Sequence, residues 1–337
     1  MTAEPPSIPA VPKAELHVHL EGTASPDLVR RLAARNGMTL PETMFDAEGG
    51  FAWTDFLDFL TVYDATSATI RSARDYRDVT YEYLVGCAAE GAIYVEVTSS
   101  PDHAAMAGMS YAEHVEGIAQ GIEDARAETG IEGRIIVSCV RHFGVDRALT
   151  VVREAVSHPH PLVTGFGMGG DEANFPPEQF AEVYRIAQEE AGLACTVHAG
   201  EWTGPESIRR ALTLPVDRLG HGVRAIEDED LLAEIVARGI VLEVCPTSNV
   251  ATGLYPDWAG HPFPLLMAAG ARVTLNSDDP PYFHTSIGRE YGQARDTYGL
   301  DDAALAGITR TAIAAAYVDD ATRARLLEKV ASAAPAA

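Results

Sequence analysis

Short apolar, β-branched runs recur along this chain, and each is followed by a stretch with apolar residues three and four apart. The runs cover residues 14–20, 92–98, 134–140, 162–167, 193–198, 217–221, 240–245 and 272–276. Runs of this kind predict buried strands, and the longer periodic stretches predict amphipathic helices. Among the latter are 111–129, 177–191 and 228–238. Pro177 and Pro205 stand where the first turn of a helix tolerates proline. Eight β/α alternations in one chain predict an α/β protein of the (β/α)8 barrel type. A doubly wound sheet is the alternative. The count of eight and the lack of a phosphate-binding first turn disfavour it.

Two departures from a plain barrel follow. The link from the first strand to the second, residues 21–91, is too long for one helix. It holds 26–36, an aromatic stretch 51–63 and a helical pattern at 75–89, and is expected to form a helical lid over the barrel mouth. After the eighth strand, 287–298, 302–316 and 322–331 predict additional C-terminal helices. No short repeat, Gly/Ser linker or charge block divides the chain, so residues 1–337 are expected to form a single TIM-barrel domain.

Composition narrows the partners. With 47% hydrophobic and 22% charged residues the chain has ordinary globular character. Its 25 basic and 49 acidic residues leave a net charge of −24. That field repels phosphate backbones and anionic lipid surfaces, so neither nucleic acid nor membrane is an expected partner. No apolar run approaches the roughly 20 residues a membrane-spanning helix needs. Residues 1–6 show neither a basic nor an apolar leader region, so no secretory signal is expected. Cys87, Cys139, Cys195 and Cys245 are far apart and are read as buried free thiols. The cytoplasm is the expected compartment.

Polar residues collect where the strands end, which in a barrel is the C-terminal mouth. His17 and His19 are two apart and share one face of an extended segment, so both imidazoles should enter the interior. His198 adds a third nitrogen, and Asp278 or Asp279 an oxygen, giving a three-histidine, one-aspartate set suited to zinc. Barrel hydrolases with two metals bridge them by a modified lysine. This chain has only Lys13 and Lys329, neither at a central strand end, which favours one metal per chain. Glu201, three residues beyond His198, stands near the metal without having to ligate it and is placed to shuttle a proton. It also reads as a helix N-terminal carboxylate. His221, between two glycines at the sixth strand end, is placed to hold a nucleophile. Adjacent residues diverge, so of Asp278 and Asp279 one suits the metal and the other the substrate. The sequence 165–170 matches G-x-G-x-x-G, but no helix follows directly, so a dinucleotide site is not expected. Gly169-Gly170 reads either as close approach to a flat ligand or as a tight turn. In the lid, Phe51, Trp53, Phe56, Leu57, Phe59, Leu60 and Tyr63 have helical spacing, with Phe56 or Phe59 candidates for an apolar pocket wall. His142 and His284 are candidates for the layer around the metal.

These residues resemble the adenosine/adenine deaminases of the amidohydrolase superfamily. The matching segments are Pro12-Lys13-Ala14-Glu15-Leu16-His17-Val18-His19-Leu20-Glu21-Gly22, Tyr94-Val95-Glu96-Val97, Gly170-Asp171-Glu172, His198-Ala199-Gly200-Glu201, Gly220-His221-Gly222, Cys245-Pro246-Thr247-Ser248-Asn249 and Asn276-Ser277-Asp278-Asp279-Pro280. Together they run through nearly the whole chain. The resemblance implies that His17, His19, His198 and Asp278 bind one zinc, whose water, with its pKa lowered toward about 7, attacks C6 of a purine. It implies that Glu201 protonates N1 and that His221 orients the nucleophile. Asp279 would bond N7, and the Gly170 N–H would bond N3. Position 21 would reach a ribose 5′-hydroxyl.

For the substrate, Gly170-Asp171-Glu172 and Gly220 resemble the nucleoside branch and imply deamination of adenosine or 2′-deoxyadenosine to the inosine product. Glu21, where that branch carries Asp, keeps free adenine and a 5′-modified nucleoside such as aminodeoxyfutalosine as alternatives. Two remoter readings are a non-deaminating amidohydrolase and a purine-binding protein without turnover. Oligomeric state is not legible.

Overall fold

A computed structural model describes residues 7–333, apart from the side chains of Phe56 and Leu57. Eight strands form one parallel sheet in sequential order. They are β1 Lys13–Glu15, β2 Ala92–Ser99, β3 Glu132–Val140, β4 Val163–Gly169, β5 Ala194–Ala199, β6 Arg218–His221, β7 Val241–Val244 and β8 Arg272–Leu275. Sequential order excludes a doubly wound sheet, which must reverse direction within the sheet. The architecture is a (β/α)8 barrel.

The helices are α1 Pro26–Arg35, α2 Phe56–Ser67, α3 Ala73–Ala89, α4 Pro101–Met106, α5 Tyr111–Thr129, α6 Val145–Ser157 and α7 Ala181–Glu189. There follow α8 Pro205–Ala211, α9 Glu229–Arg238, α10 Pro246–Ala251, α11 Phe263–Ala268, α12 Ile287–Tyr298, α13 Asp302–Ala315 and α14 Asp320–Ala333. Local chemistry sets their ends. In α5, Ser110 and Glu113 form a reciprocal capping box, and Gly130 at φ 76° closes the helix. Asp228 caps α9 instead of opening it, accepting from the Leu231 N–H. The expected helix at 177–191 begins as a 3-10 turn, Pro177–Phe180.

The first strand differs most from expectation. The run 14–20 is regular only over Lys13–Glu15; beyond it, Val18 bridges Asp278 and His19 bridges Thr98 as isolated pairs. The cause lies at the seam. No ladder joins β8 to β1 among the described residues. Instead the Asn276 side chain accepts from the Leu16 N–H at 2.9 Å, while the His19 N–H donates to the Asp278 carbonyl and the Asp278 N–H to the His17 carbonyl.

The insert carries α1, α2 and α3. Its aromatic stretch packs on the segment after β8: Phe51 stacks on Tyr282 at 4.3 Å, and Trp53 Nε1 donates to the Tyr282 carbonyl at 3.1 Å. At the opposite, N-terminal end, Arg218 is buried between Glu96 and Glu243, with its Cζ 3.6 Å above the Tyr317 ring. The segment after α13 seals this floor. The Tyr317 N–H donates to Glu96 at 2.7 Å, and its hydroxyl to the Cys195 carbonyl at 2.7 Å. No helix among the described residues is long and apolar enough to cross a membrane. All four cysteines are free and buried.

Candidate active site

One cavity opens at the mouth. His19, Glu21, Gly170, His198, Glu201, His221, Asp278 and Asp279 all line it. His17 sits just beneath, its ring centroid 4.5 Å from that of His198. The sequence-predicted site residues are thus brought together.

Two strand-end features aim the imidazoles. The β4–β5 ladder stops at Phe166↔Cys195. Beyond it, His198 Nδ1 meets the Met168 carbonyl at 3.0 Å. A carbonyl only accepts, so Nδ1 carries the proton and Nε2 presents a lone pair to the centre. His17 is set the same way, with Nδ1 2.9 Å from Glu243 Oε2. Glu243 is itself held by Arg218 at 2.7 Å and Thr196 at 3.1 Å. Gly220 is required here, since a Cβ would come within 2.8 Å of the His17 ring.

The inward atoms form a donor set. His17, His19, His198 and Asp278 each offer one ligand atom, all within 4.8 Å of one another. His19 Nε2 is 3.2 Å from His198 Nε2 and 3.2 Å from Asp278 Oδ1. His17 Nε2 is buried without a hydrogen-bond partner, 3.5 Å from Asp278 Oδ1. Burial, then the charges of His17 and His19, hold His198 well below the usual histidine range. Burial would lower His17 too, but the adjacent carboxylates of Asp278 and Glu243 raise it to about 10. Converging imidazole nitrogens beside a carboxylate, in surroundings that favour positive charge, fit a divalent cation, which would take the place of the protons on those nitrogens. A second grouping, His17, His221, Cys245 and Asp278, is also geometrically possible. Burial raises the Cys245 thiol far above its normal range, and a protonated thiol is a poor ligand.

Around this set stand the other polar groups. His221 Nε2 lies 3.6 Å from Glu201 Oε2 and 3.9 Å from Asp278 Oδ2. Burial lowers His221 to about 4, while burial and then Asp278 raise Glu201 well above the carboxylate range. His221 Nδ1 is 3.2 Å from Asn249 Nδ2, and Asn249 Oδ1 is 3.1 Å from His261 Nε2. Ser248 donates to Asp278 Oδ2 at 2.6 Å. Only three non-glycine residues among those described have positive φ: His221 (58°), Asp278 (64°) and His284 (52°). Two of them are in this site, where local backbone strain commonly collects.

Asp279 Oδ1 is buried and unpartnered, and Gly22 makes room for it, since a Cβ at Gly22 would lie 1.8 Å away. Gly170 has φ 98°, and a Cβ there would meet His142 Nδ1 at 2.7 Å. Glu21 lines the cavity and is tied to protein donors through one oxygen. Its Oε1 accepts from Tyr76 (3.2 Å), Ser99 (2.6 Å) and the Ser100 N–H (3.3 Å), so protein donors fix it in the wall. Of the stretch 51–63, the aromatics Phe59 and Tyr63 and the aliphatic Leu60 reach the cavity. Phe56 lies outside the described side chains. His142 lines the cavity, whereas His284 faces a different cleft, with Ser25 and Arg289.

Sequence reasoning missed the supporting groups Glu243, Asn249 and Glu172. Glu243 had one available signal, an acidic residue inside the apolar run 240–245. Asn249 lay in a quoted motif but carried no spacing that assigns it a partner.

Comparison with known proteins gives a consistent result. Residues 12–333 match the family model described as adenosine deaminase. The adenine deaminase of Chelativorans sp. (strain BNC1) is 50% identical over 319 residues, 94% of this chain and 97% of that protein. The adenine deaminase of Mesorhizobium japonicum is 48% identical over 324 residues, 96% of this chain and 99% of the relative. Among solved structures, adenine deaminase from Arthrobacter aurescens superposes with a TM-score of 0.89 at 32% identity, covering 96% of this chain and 99% of that one. An amidohydrolase from Burkholderia ambifaria with bound Zn gives 0.85 at 30% identity, covering 96% and 93%.

Proposed function

The chain belongs to the adenosine deaminase family, and from that premise we propose that it hydrolyses free adenine to hypoxanthine and ammonia, acting as one catalytic unit with one zinc ion. The observation that carries the reading is the identity of up to 50%, across nearly the full chain, to relatives named adenine deaminase. The site supports it. Glu21, the position expected to reach a ribose 5′-hydroxyl, has one oxygen taken up by three protein donors.

The nucleoside reading drawn from Gly170-Asp171-Glu172 and Gly220 gives way for physical reasons. Gly170 answers to its positive φ and to His142, and Gly220 to the His17 ring. Neither reports a sugar.

His17, His19, His198 and Asp278 are the proposed zinc ligands. The donor chemistry suits that ion, and the Burkholderia structure holds Zn. Zinc supplies Lewis acidity that brings the pKa of water toward about 7. The remaining work falls to this chain. Asp279 faces N7 and the Gly170 N–H faces N3, so the ring is held in one orientation. Glu201 delivers a proton to N1, which makes C6 electrophilic. His221, kept in place by Asn249, orients the attacking oxygen. The C6–O bond forms, the attacking oxygen's two protons pass one to Glu201, replacing the one given to N1, and one to N6, and the C6–N6 bond breaks so that the amino group leaves as ammonia.

Ammonia release is to be measured for the zinc-loaded protein with adenine, adenosine, 2′-deoxyadenosine and aminodeoxyfutalosine in parallel. The expected result is the highest kcat/KM with adenine, abolished by a chelator and restored by zinc. Preference for any nucleoside replaces the base-specific reading. No ammonia from any of the four ends the deaminase reading.

A further inference from the structure

The end of β5 carries two functional groups close together, the His198 imidazole and the Glu201 carboxyl. Regular structure does not hold the second. The strand stops at Ala199 and α8 begins only at Pro205. Where Glu201 stands therefore depends on what grips the residues between.

Glu172 grips them. Its Oε1 accepts from the Gly200 N–H at 2.5 Å, the Thr203 hydroxyl at 2.6 Å and the Ser207 hydroxyl at 2.6 Å. Its Oε2 accepts from the N–H groups of Glu201 at 3.2 Å, Trp202 at 2.8 Å and Thr203 at 3.3 Å. Four consecutive backbone amides thus converge on one carboxylate that is only 4% exposed. From β3's end, the fully buried Arg141 donates Nη2 to the His198 carbonyl at 2.7 Å. Its Nε and Nη1 make no hydrogen bond among the described residues. Burial would raise Glu172, but the bonds from Ser207, Thr203 and Gly200, together with the Arg141 charge, hold it below the ordinary carboxylate range.

We propose that Glu172 and Arg141 are positioning residues that clamp segment 198–203, Arg141 at its start on the His198 carbonyl and Glu172 along the amides of 200–203, so that the Glu201 carboxyl is held where it can transfer a proton. The protein's own carboxylate fills a ring of amides and hydroxyls built for an anion. Glutamine at position 172 cannot replace it, because its NH2 would face N–H groups in place of an acceptor. Misplacement of a reacting group by about 1 Å costs on the order of 10²-fold in rate. The proposal rests on the reading of Glu201 as the proton carrier.

The test compares zinc-loaded Glu172→Gln and Glu172→Ala with the parent in kcat and KM for adenine, zinc content and Tm. The expected outcome is a kcat lower by about 10–100-fold, with KM nearly unchanged and zinc retained. Formate should occupy the emptied ring in Glu172→Ala, raising its Tm and restoring kcat in a saturable way, a response a merely structural defect would not show. Should Glu172→Ala fail to fold, Glu172→Gln decides on kcat below its Tm. Turnover within about twofold of the parent in a zinc-loaded variant overturns the clamp, as does a kcat loss that follows zinc content alone. Glu201→Gln is run alongside. If it turns over normally, the functional reading falls; if it is inactive while Glu172→Gln is normal, only the clamp falls.

Discussion

At the floor of the barrel, Arg218 lies between Glu96 and Glu243 beneath Tyr317, and at the mouth His17, His19, His198 and Asp278 crowd together. Both groups are buried and both are built from charged or titratable side chains. They differ in satisfaction. At the floor, Glu96 is met by Arg218, Tyr94 and the Tyr317 N–H, and Arg218 Nε, which makes no hydrogen bond of good geometry among the described residues, is still ion-paired to Glu243 at 2.7 Å. At the mouth, His17 Nε2 and Asp279 Oδ1 are buried without partners, and His221 and Asp278 have strained backbones. Buried charge alone is therefore a weak sign of function; buried charge with unmet bonding capacity is a strong one. Glu243 joins the two groups, with one oxygen on Arg218 and the other on His17.

Four variants put this contrast at risk. Glu201→Gln should lower kcat by about 10²–10⁴-fold with zinc and Tm near the parent's; near-normal turnover would remove the mouth as the chemical end. Arg218→Met should cost about 3–5 kcal/mol of stability in denaturant titration, because two carboxylates lose their cation. Its folded fraction should turn over within a few-fold of the parent, and an equally stable variant would show that the floor is not structural. Glu243→Gln should weaken zinc binding by about 10–100-fold in chelator competition; unchanged affinity would separate the two regions.

The smallest effect concerns Glu290, a buried carboxyl that forms no ion pair among those described. Burial, partly offset by Thr247 and Thr285, raises it to about 7. A raised acid stabilises the fold below its unfolded value and loses that share as pH climbs through its folded one. The Tm of Glu290→Gln relative to the parent should therefore improve from pH 5 to pH 8. A pH-independent difference would contradict this.

Much of this was legible in the sequence. Strands β2 to β8 fall within two residues of the apolar runs that predict them, because strands buried on both faces are written as such runs. The first strand was overdrawn because its alternation continues to Leu20, whereas its pairing partners at the seam are a side chain and single bridges. The convergence of His17, His19, His198 and Asp278 was readable from strand-end position. The work of Glu172 was not, because its donors come from a loop and helix 28 to 35 residues away and leave no periodic trace. The substrate signals were weak for a related reason. Gly170 and Gly220 are explained by close packing inside the site, and a sequence does not distinguish a glycine that makes room for a neighbouring ring from one that makes room for a ligand.

The seam between β8 and β1 also bears on how the molecule is made. His17 emerges during synthesis about 260 residues ahead of Asp278. A nascent chain halted before Asp278 offers the three imidazoles but lacks the fourth donor and the Asp278 backbone that bonds His17 and His19. Completion of the proposed four-ligand set is thus a late event, available only to a polypeptide whose eight strands have all been delivered.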